Sequence, residues 1–347
     1  MKPKVYILIL NWNGWKDTIE CLESVFRINY DNYQVIVCDN DSQDNSMDHI
    51  KSWAKGNKKV SVKKDNPLLA LSTPPIAKPV LYKEYDRKQA EEGSMKDDQE
   101  VPLILIRTGG NLGFAGGNNV GLRYILKKNS FEYVWLLNND TVVDYDCLAN
   151  MIAYSSQRLK PNTCGSRLLF YDNPEVIQAL GGVHYNKWTG LAGTSLGRYK
   201  SIHEKIDQMK FESRLSYIAG ASWLIPKQFL IDIGLMEESY FLYCEEIDWC
   251  VRGAKKYELC YADDALVYHK EGNSIGSPSG QRSSSLLSDF YVFRNKLIFT
   301  RKYFPEAIIT AYLTTFIQAL NRLRRGQWDK TKLILKILLG KRQFNLS

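Results

Sequence analysis

Several clusters of acids, amides and glycines in this 347-residue chain have the composition needed to bind a charged, phosphate-bearing ligand. Asn138-Asn139-Asp140 closes an apolar run, so Asp140 should project beyond the end of a strand. A hard carboxylate there suits Mg²⁺ or Mn²⁺ compensating the charge of phosphates. Glu245-Glu246-Ile247-Asp248 follows Tyr240-Phe241-Leu242-Tyr243 and has Arg252 four residues beyond Asp248. A carboxylate beside a like charge and an aromatic wall holds its proton more tightly, as a general base working near neutral pH requires. Asp39, followed by Asn40 and Ser42, could accept a hydrogen bond from the imide N–H of uracil or thymine. Residues 109–119, Gly-Gly-Asn-Leu-Gly-Phe-Ala-Gly-Gly-Asn-Asn, allow close backbone approach, and the helix they open favours an anion. They lack both the P-loop pattern and a GxGxxG after the first strand, which argues against ATPase and NAD-dehydrogenase chemistry. His269 ends another apolar run, while His49, His184 and His203 read as structural or surface residues.

The elements that must hold these residues alternate. Apolar runs at 5–10, 34–38, 103–107 and 133–137 predict buried strands, with a further short one at 60–63. Helical spacing appears at 18–26, 45–54, about 120–126 and 144–156, the last capped by Asp144. This alternation predicts an α/β fold with a doubly wound, mostly parallel sheet, in which ligands bind beyond the carboxyl ends of the strands. The clusters at Asn11-Asn13, Asp39-Asn40, 110–119 and 138–140 all fall at such ends. Residues 64–100, rich in Pro, Lys, Asp and Glu, read as an inserted mobile loop with no chemistry of its own. In the second half, 217–225 reads as a strand, 226–233 as a helix and 259–268 as a strand. Helices are expected at 284–303, 305–324 and 329–339. The organisation read from this is a catalytic domain over 1–280, containing the loop at 64–102, and a basic helical region over 281–347.

Composition lies in the ordinary globular range and excludes collagen-like, disordered and disulfide-scaffold classes. Seven scattered cysteines with no CxxC pair read as reduced. No signal peptide and no bilayer-spanning apolar run is apparent, so a cytoplasmic location is expected. The formal charge of +8 is concentrated at the C-terminal end, where residues 321–347 hold eight Lys or Arg against Asp329. That distribution points to an anionic surface met by one end and away from nucleic acid. Leu333, Ile334, Ile337, Leu338 and Leu339 could form an apolar side beside Lys332, Lys336 and Lys341, as in a peripheral helix on anionic lipid.

Taken in order, the motifs resemble those of the family 2 glycosyltransferases, especially the rhamnosyltransferase-like branch. They are Ile9-Leu10-Asn11-Trp12-Asn13-Gly14, the run from Asp39 to Asp44, the run from Asn111 to Asn119, Leu136-Leu137-Asn138-Asn139-Asp140, the run from Phe241 to Asp248, and His269 with Gly272 and Ser274. They span about residues 4–304. The resemblance implies a GT-A fold and inverting transfer of one sugar from a nucleotide diphosphate donor, dTDP-rhamnose or a UDP-sugar, to a glycan or lipid-linked acceptor in cell-surface polysaccharide synthesis. It implies donor contacts from Asn11, Asn13, Asp39, Asn40, Gly113, Gly116, Asn118 and Asn139, metal binding by Asp140 and His269, and a general base at Glu246. Two departures stand out. Asn138 occupies a place where the family often has an acid, and Glu246 replaces an Asp, which leaves Glu245 or Asp248 open as the base. The QxxRW signature of processive synthases is absent. A sugar nucleotidyltransferase and a catalytically inactive carbohydrate-binding or scaffold module are the alternatives.

Overall fold

In a computed structural model describing residues 2–92, 100–270 and 285–344, the first apolar run forms β1 (Val5–Asn11). The helix α1 (Trp15–Val25) leads from it into β2 (Tyr33–Asp39) and α2 (Ser46–Ala54). Successive side chains of β1 enter two different cores. Val5, Ile7 and Ile9 pack with Leu22 of α1 and Ile50 and Trp53 of α2. Tyr6 and Leu8 pack on the opposite face with Val120 and Ile125. Both faces are covered, which is why the strand sequence is continuously apolar instead of alternating.

The segment expected to be an unstructured insertion contributes to the sheet. It contains α3 (Leu69–Ser72), β3 (Tyr82–Asp86) and α4 (Arg87–Glu92), and β3 pairs in parallel with β4 (Leu103–Arg107). The Tyr-Lys-Glu-Tyr-Asp of β3 has no apolar run because the strand is an edge, where charged side chains block further pairing. Glu84 there meets Lys51 and Arg107. Residues 93–99 of that segment lie outside the described residues. The strand expected at 60–63 does not form.

The Gly/Asn-rich segment opens α5 (Gly113–Lys128), and β5 (Tyr133–Asn138), β6 (Thr141–Val143) and α6 (Cys147–Ser156) follow. The N-cap of α6 is Asp146 rather than Asp144. Next come β7 (Asn162–Phe170), β8 (Asn173–Leu180), β9 (Gly182–Asn186), β10 (Leu191–Ser195), α7 (Gln208–Glu212), β11 (Tyr217–Ile218), β12 (Ser222–Pro226), α8 (Lys227–Ile233), α9 (Glu245–Gly253) and β13 (Glu258–His269). Ten strands form one sheet, ordered β3-β4-β2-β1-β5-β12-β7-β13-β6, with β8 paired to β7. The first five in that order are mutually parallel, and β12 is antiparallel to both of its neighbours. The expected single strand at 217–225 is two elements in different sheets, since β11 joins β9 and β10 in a small three-stranded sheet. The architecture is the expected α/β class with a largely parallel central sheet. All seven cysteines are unpaired.

Three α-helices follow among the described residues: α10 (Leu286–Tyr303), α11 (Ile308–Arg324) and α12 (Trp328–Leu338). The expected domain boundary at 280/281 and the expected helix start at 284 lie outside the described residues. No helix among the described residues is long and apolar enough to cross a membrane. The side of α12 expected to face lipid is reassigned: Leu333, Ile334 and Ile337 are buried in a core with Phe290, Phe293 and Leu297 of α10. In a three-helix unit the apolar stripe of the last helix is the side that packs. Leu339, the remaining member of that stripe, is exposed, and Leu338 is half-buried.

Candidate active site

The parallel register brings Asn11 and Asp39 side by side at the ends of β1 and β2, with Asn138 of β5 beside Leu10. One hydrogen-bond network knits this side together. Asn11 Nδ2 donates to Asp39 Oδ1 at 2.7 Å and to Ser42 Oγ at 3.0 Å, and Ser42 Oγ donates to the same Asp39 oxygen at 2.7 Å. Thr18 Oγ1 donates to Asn11 Oδ1 at 2.7 Å, and Asn139 Nδ2 donates to Thr18 Oγ1 at 3.1 Å. Asn13, in the left-handed region, accepts Gln43 N–H on its side chain at 2.7 Å. Asp39 and Asn40 are both buried, so each unmade bond here would cost about 1–3 kcal/mol.

Asn40 carries the network into the Gly/Asn-rich loop. Its Oδ1 accepts Leu112 N–H at 3.0 Å, and its Nδ2 donates to Asn111 Oδ1 at 3.0 Å and Gly113 O at 3.2 Å. Gly113 has φ +71°, and a Cβ there would stand 2.1 Å from Phe241 O, so only glycine fits. Phe114 N–H then donates to Phe241 O at 2.7 Å. Gly116 likewise packs without room for a Cβ against Leu112. Asn118 Nδ2 turns back to Phe114 O, and Asn119 bonds Met236 O and Glu238. Asn118 therefore stabilises the helix start that the loop presents.

The acidic cluster is held differently. Phe241, Tyr243 and Cys244 all have φ between 64° and 74°, costing on the order of 1–3 kcal/mol each for side chains of this kind. Asn295 of α10, fully buried, keeps this loop in place. Its Nδ2 donates to the carbonyls of Tyr240, Leu242 and Tyr243 at 2.8, 2.7 and 3.0 Å. Glu245 and Glu246 follow at the start of α9. Glu246 Oε1 accepts Gly220 N–H at 2.7 Å and remains partly accessible, whereas Glu245 is only 3% exposed and its Oε2 has no hydrogen-bond partner among the described residues. Burial pushes both carboxyls above the ordinary glutamate range. The neighbouring Glu246 adds to the rise at Glu245, and the Gly220 N–H opposes it at Glu246.

Asp248, the third acid expected there, is not at the cleft. It is fully buried and takes bonds from Arg252 at 2.7 Å, Tyr303 at 2.8 Å, Lys302 at 3.0 Å and Tyr240 at 3.0 Å. Burial raises its pKa, but Arg252, Tyr303 and Lys302 outweigh that and hold it below the ordinary range. It therefore anchors α9 to α10 as a permanent carboxylate.

Asp140 and His269 come together across the β6–β13 pair, with Asp140 Oδ1 3.2 Å from His269 Nε2. Asn138 Nδ2 lies 3.5 Å from the same ring nitrogen. Gln178 of β8 was not singled out from sequence, yet it meets His269 twice. Its Nε2 donates to His269 O at 3.5 Å, which turns its Oε1 to His269 Nδ1 at 2.8 Å. That contact holds the ring by Nδ1 and turns Nε2 toward Asp140, the orientation of a metal-ligating histidine fixed by an outer partner. No cluster of three or more His, Cys, Asp or Glu suited to a metal occurs among the described residues. Two protein ligands with a phosphate-bearing substrate completing the shell still fit Mg²⁺ or Mn²⁺. Gly272 and Ser274, the other members of that motif, lie outside the described residues.

Gly220 joins the two halves. The next residue, Ala221, accepts Asn138 N–H at 3.0 Å, so Glu246 stands beyond the carboxyl end of β5 near Asn138-Asn139-Asp140. Ser42 supports Asp39 as expected, whereas Gln178, Asn295 and Thr18 are site-supporting residues that spacing did not reveal. Single polar residues within ordinary strands and helices leave no pattern to find.

The chain matches the model of glycosyl transferase family 2 over residues 6–66. It is 27% identical over 220 residues to the low-salt glycan biosynthesis hexosyltransferase Agl10 of Haloferax volcanii, covering 61% of this chain and 65% of that protein. It is 26% identical over 152 residues to rhamnosyltransferase WbbL of Escherichia coli, covering 42% of this chain and 55% of that protein. Among solved structures, the mannosyltransferase PcManGT of Pyrobaculum calidifontis, in complex with GDP-Man and Mn²⁺, is similar with a TM-score of 0.50. That likeness is at 12% identity, covers 100% of this chain and 89% of the other, and is one of fold. The chain is thus similar over part of its length to glycosyl transferase family 2, including a rhamnosyltransferase, and spans less than two thirds of the length of these two relatives; its fold is of the GT-A kind.

Proposed function

We propose that the protein is an inverting glycosyltransferase that moves one hexose or deoxyhexose from a nucleoside diphosphate sugar to an acceptor hydroxyl. The observation that carries this reading is the convergence of three groups at neighbouring strand ends. These are the Asp39–Asn40 network with the glycine loop, the Asp140–His269 pair 3.2 Å apart, and Glu246 bound to Gly220 N–H at 2.7 Å. Asp39, with Asn11 and Ser42 fixing one carboxylate oxygen, has the geometry to accept the N–H of a uracil or thymine base. Asn13 and the turn through Gly113 and Gly116 stand beside that network, where the remainder of the donor would lie, and Asn139 supports it through Thr18.

Glu246 takes the proton of the acceptor hydroxyl as that oxygen forms a bond to the anomeric carbon. The bond from that carbon to the diphosphate oxygen breaks on the opposite face, inverting the centre. Its raised pKa lets the carboxylate accept a proton effectively near neutral pH. Glu245 lies deeper, and burial together with the charge of Glu246 raises its pKa and favours its neutral form beside the base. Asp140 and His269 would hold Mg²⁺ or Mn²⁺, which when bound offsets the charge of the leaving diphosphate. Similarity to a hexosyltransferase of glycan biosynthesis and to a rhamnosyltransferase supports a hexose or rhamnose donor, and the reading extends to dTDP-rhamnose or a UDP-sugar as donor and a glycan or lipid-linked acceptor of the cell envelope. A cytoplasmic enzyme attached peripherally to anionic lipid would meet such an acceptor. The test is a panel of dTDP-, UDP- and GDP-sugars with Mn²⁺ or Mg²⁺. Metal-dependent release of one nucleoside diphosphate is expected, and folded protein that binds and turns over none rejects the reading.

A further inference from the structure

The helix α11 has its amphipathicity reversed. Its buried positions are the small residues Ala311, Thr315 and Ala319, and its large apolar residues face outward. Ile309 is 78% exposed, Leu313 56%, Ile317 47%, Phe316 44% and Leu320 41%. At 100° per residue these five fall within an arc of about 100°, which is the width of a helix's packing stripe. A water-facing helix surface is ordinarily polar, and a contiguous apolar stripe marks a contact. Arg324 continues the same line, and Arg325 and Trp328 at the turn into α12 are exposed, as are Lys332 and Lys336 on α12.

The charge identifies what covers the stripe. Residues 321–347 hold eight Lys or Arg and one acid, so a second copy laid on this face would set cations against cations. An anionic bilayer satisfies both the apolar stripe and its basic border, and an exposed tryptophan suits the headgroup level. We propose that α11 lies in the headgroup–acyl boundary of an anionic membrane. Ile309, Leu313, Phe316, Ile317 and Leu320 are inserted, and Arg324, Arg325, Lys332 and Lys336 meet lipid phosphates. Attachment is then by insertion of α11 and not by the charge of the tail alone. The packing side of α11 meets α10, and Asn295 of α10 grips the loop before Glu245-Glu246, so a membrane-seated α11 holds the base at a fixed distance from the surface. This rests on the peripheral attachment in the proposed function and is independent of its catalytic part.

The experiment is flotation of the full chain with vesicles of phosphatidylglycerol and phosphatidylcholine, and with phosphatidylcholine alone. Wild type should float with the anionic vesicles, and a Leu313→Glu/Phe316→Glu variant should bind at least about tenfold more weakly. Circular dichroism checks the fold, and Leu313→Ser/Phe316→Ser is the milder pair should the first misfold. Equal flotation of wild type and both pairs, with loss only in Lys332→Gln/Lys336→Gln, overturns the α11 assignment and leaves peripheral attachment standing. Wild type that never floats overturns both while leaving the transferase reading intact. A wild-type dimer made monomeric by Leu313→Glu/Phe316→Glu, without vesicle binding, assigns the stripe to a second copy and overturns the proposal.

Discussion

The two sides of the cleft are built on opposite terms. On the side of β1, β2 and the glycine loop, Asn11, Thr18, Asp39 and Ser42 satisfy one another, and Asn40 is satisfied by Asn111, Leu112 and Gly113 of the loop. On the side of α9, three residues with positive φ lead into two buried carboxyls, one of which has an oxygen with no hydrogen-bond partner among the described residues. Satisfied polar groups make a rigid platform and contribute to stability. Strained and under-bonded ones cost stability and persist because surrounding structure enforces them, here Asn295, Asp248 and Lys302. A ligand that needs shape is served by the first side, and a proton that must move is served by the second.

Substitutions should separate the two sides. The largest effect is expected at Glu246→Gln, which keeps the Gly220 contact but removes the base. Turnover should fall on the order of 10²- to 10⁴-fold with the melting temperature and donor affinity nearly unchanged, as calorimetry and steady-state rates would show. Asp39→Ala strands Asn11 and Ser42 and should cost about 2–3 kcal/mol in urea unfolding, besides weakening the donor. Similar stability of the two variants would erase the contrast.

Next comes pH. Glu245 and Glu246 have folded pKa values raised above the unfolded value, so the unfolded chain gives up these protons first. Stability from this pair is therefore greatest at acid pH and declines as pH rises from the ordinary glutamate range of about 4.3 towards the raised values. Glu245→Gln should flatten that decline in thermal melts taken across pH 5 to 8, and an unchanged slope would assign the decline elsewhere. The acid limb of kcat/KM should also lie above the ordinary glutamate range. The smallest effect is at Cys244→Gly, which relieves φ +74° at the start of α9. A stability gain within about 1 kcal/mol is expected, since glycine's unfolded-state entropy offsets part of the relief.

Much of the platform side could be read from sequence because its residues follow continuous apolar runs, and a strand ending in Asn or Asp announces where it stops. The strand β3 escaped because an edge strand of Tyr, Lys, Glu and Asp carries no buried period. The antiparallel insertion of β12 between β5 and β7 is a matter of tertiary pairing that local pattern does not encode. Composition located Glu245, Glu246 and Asp248 as a group but could not rank them. Only burial and partners separate Asp248, with four donors, from Glu246, which among the described residues takes the Gly220 N–H at 2.7 Å. The apolar stripe of α12 was legible as a stripe, while which way it faces depends on α10 and α11.

The most direct measurement is a paired one on wild type and Glu246→Gln with the donor identified from the sugar-nucleotide panel. Donor affinity by calorimetry and acceptor-dependent release of nucleoside diphosphate are measured side by side with Mn²⁺. Unchanged affinity with release lowered at least about 10²-fold is the predicted result. Near-normal release by Glu246→Gln would contradict the assignment of the base and with it the division of the cleft into a binding side and a proton-transfer side.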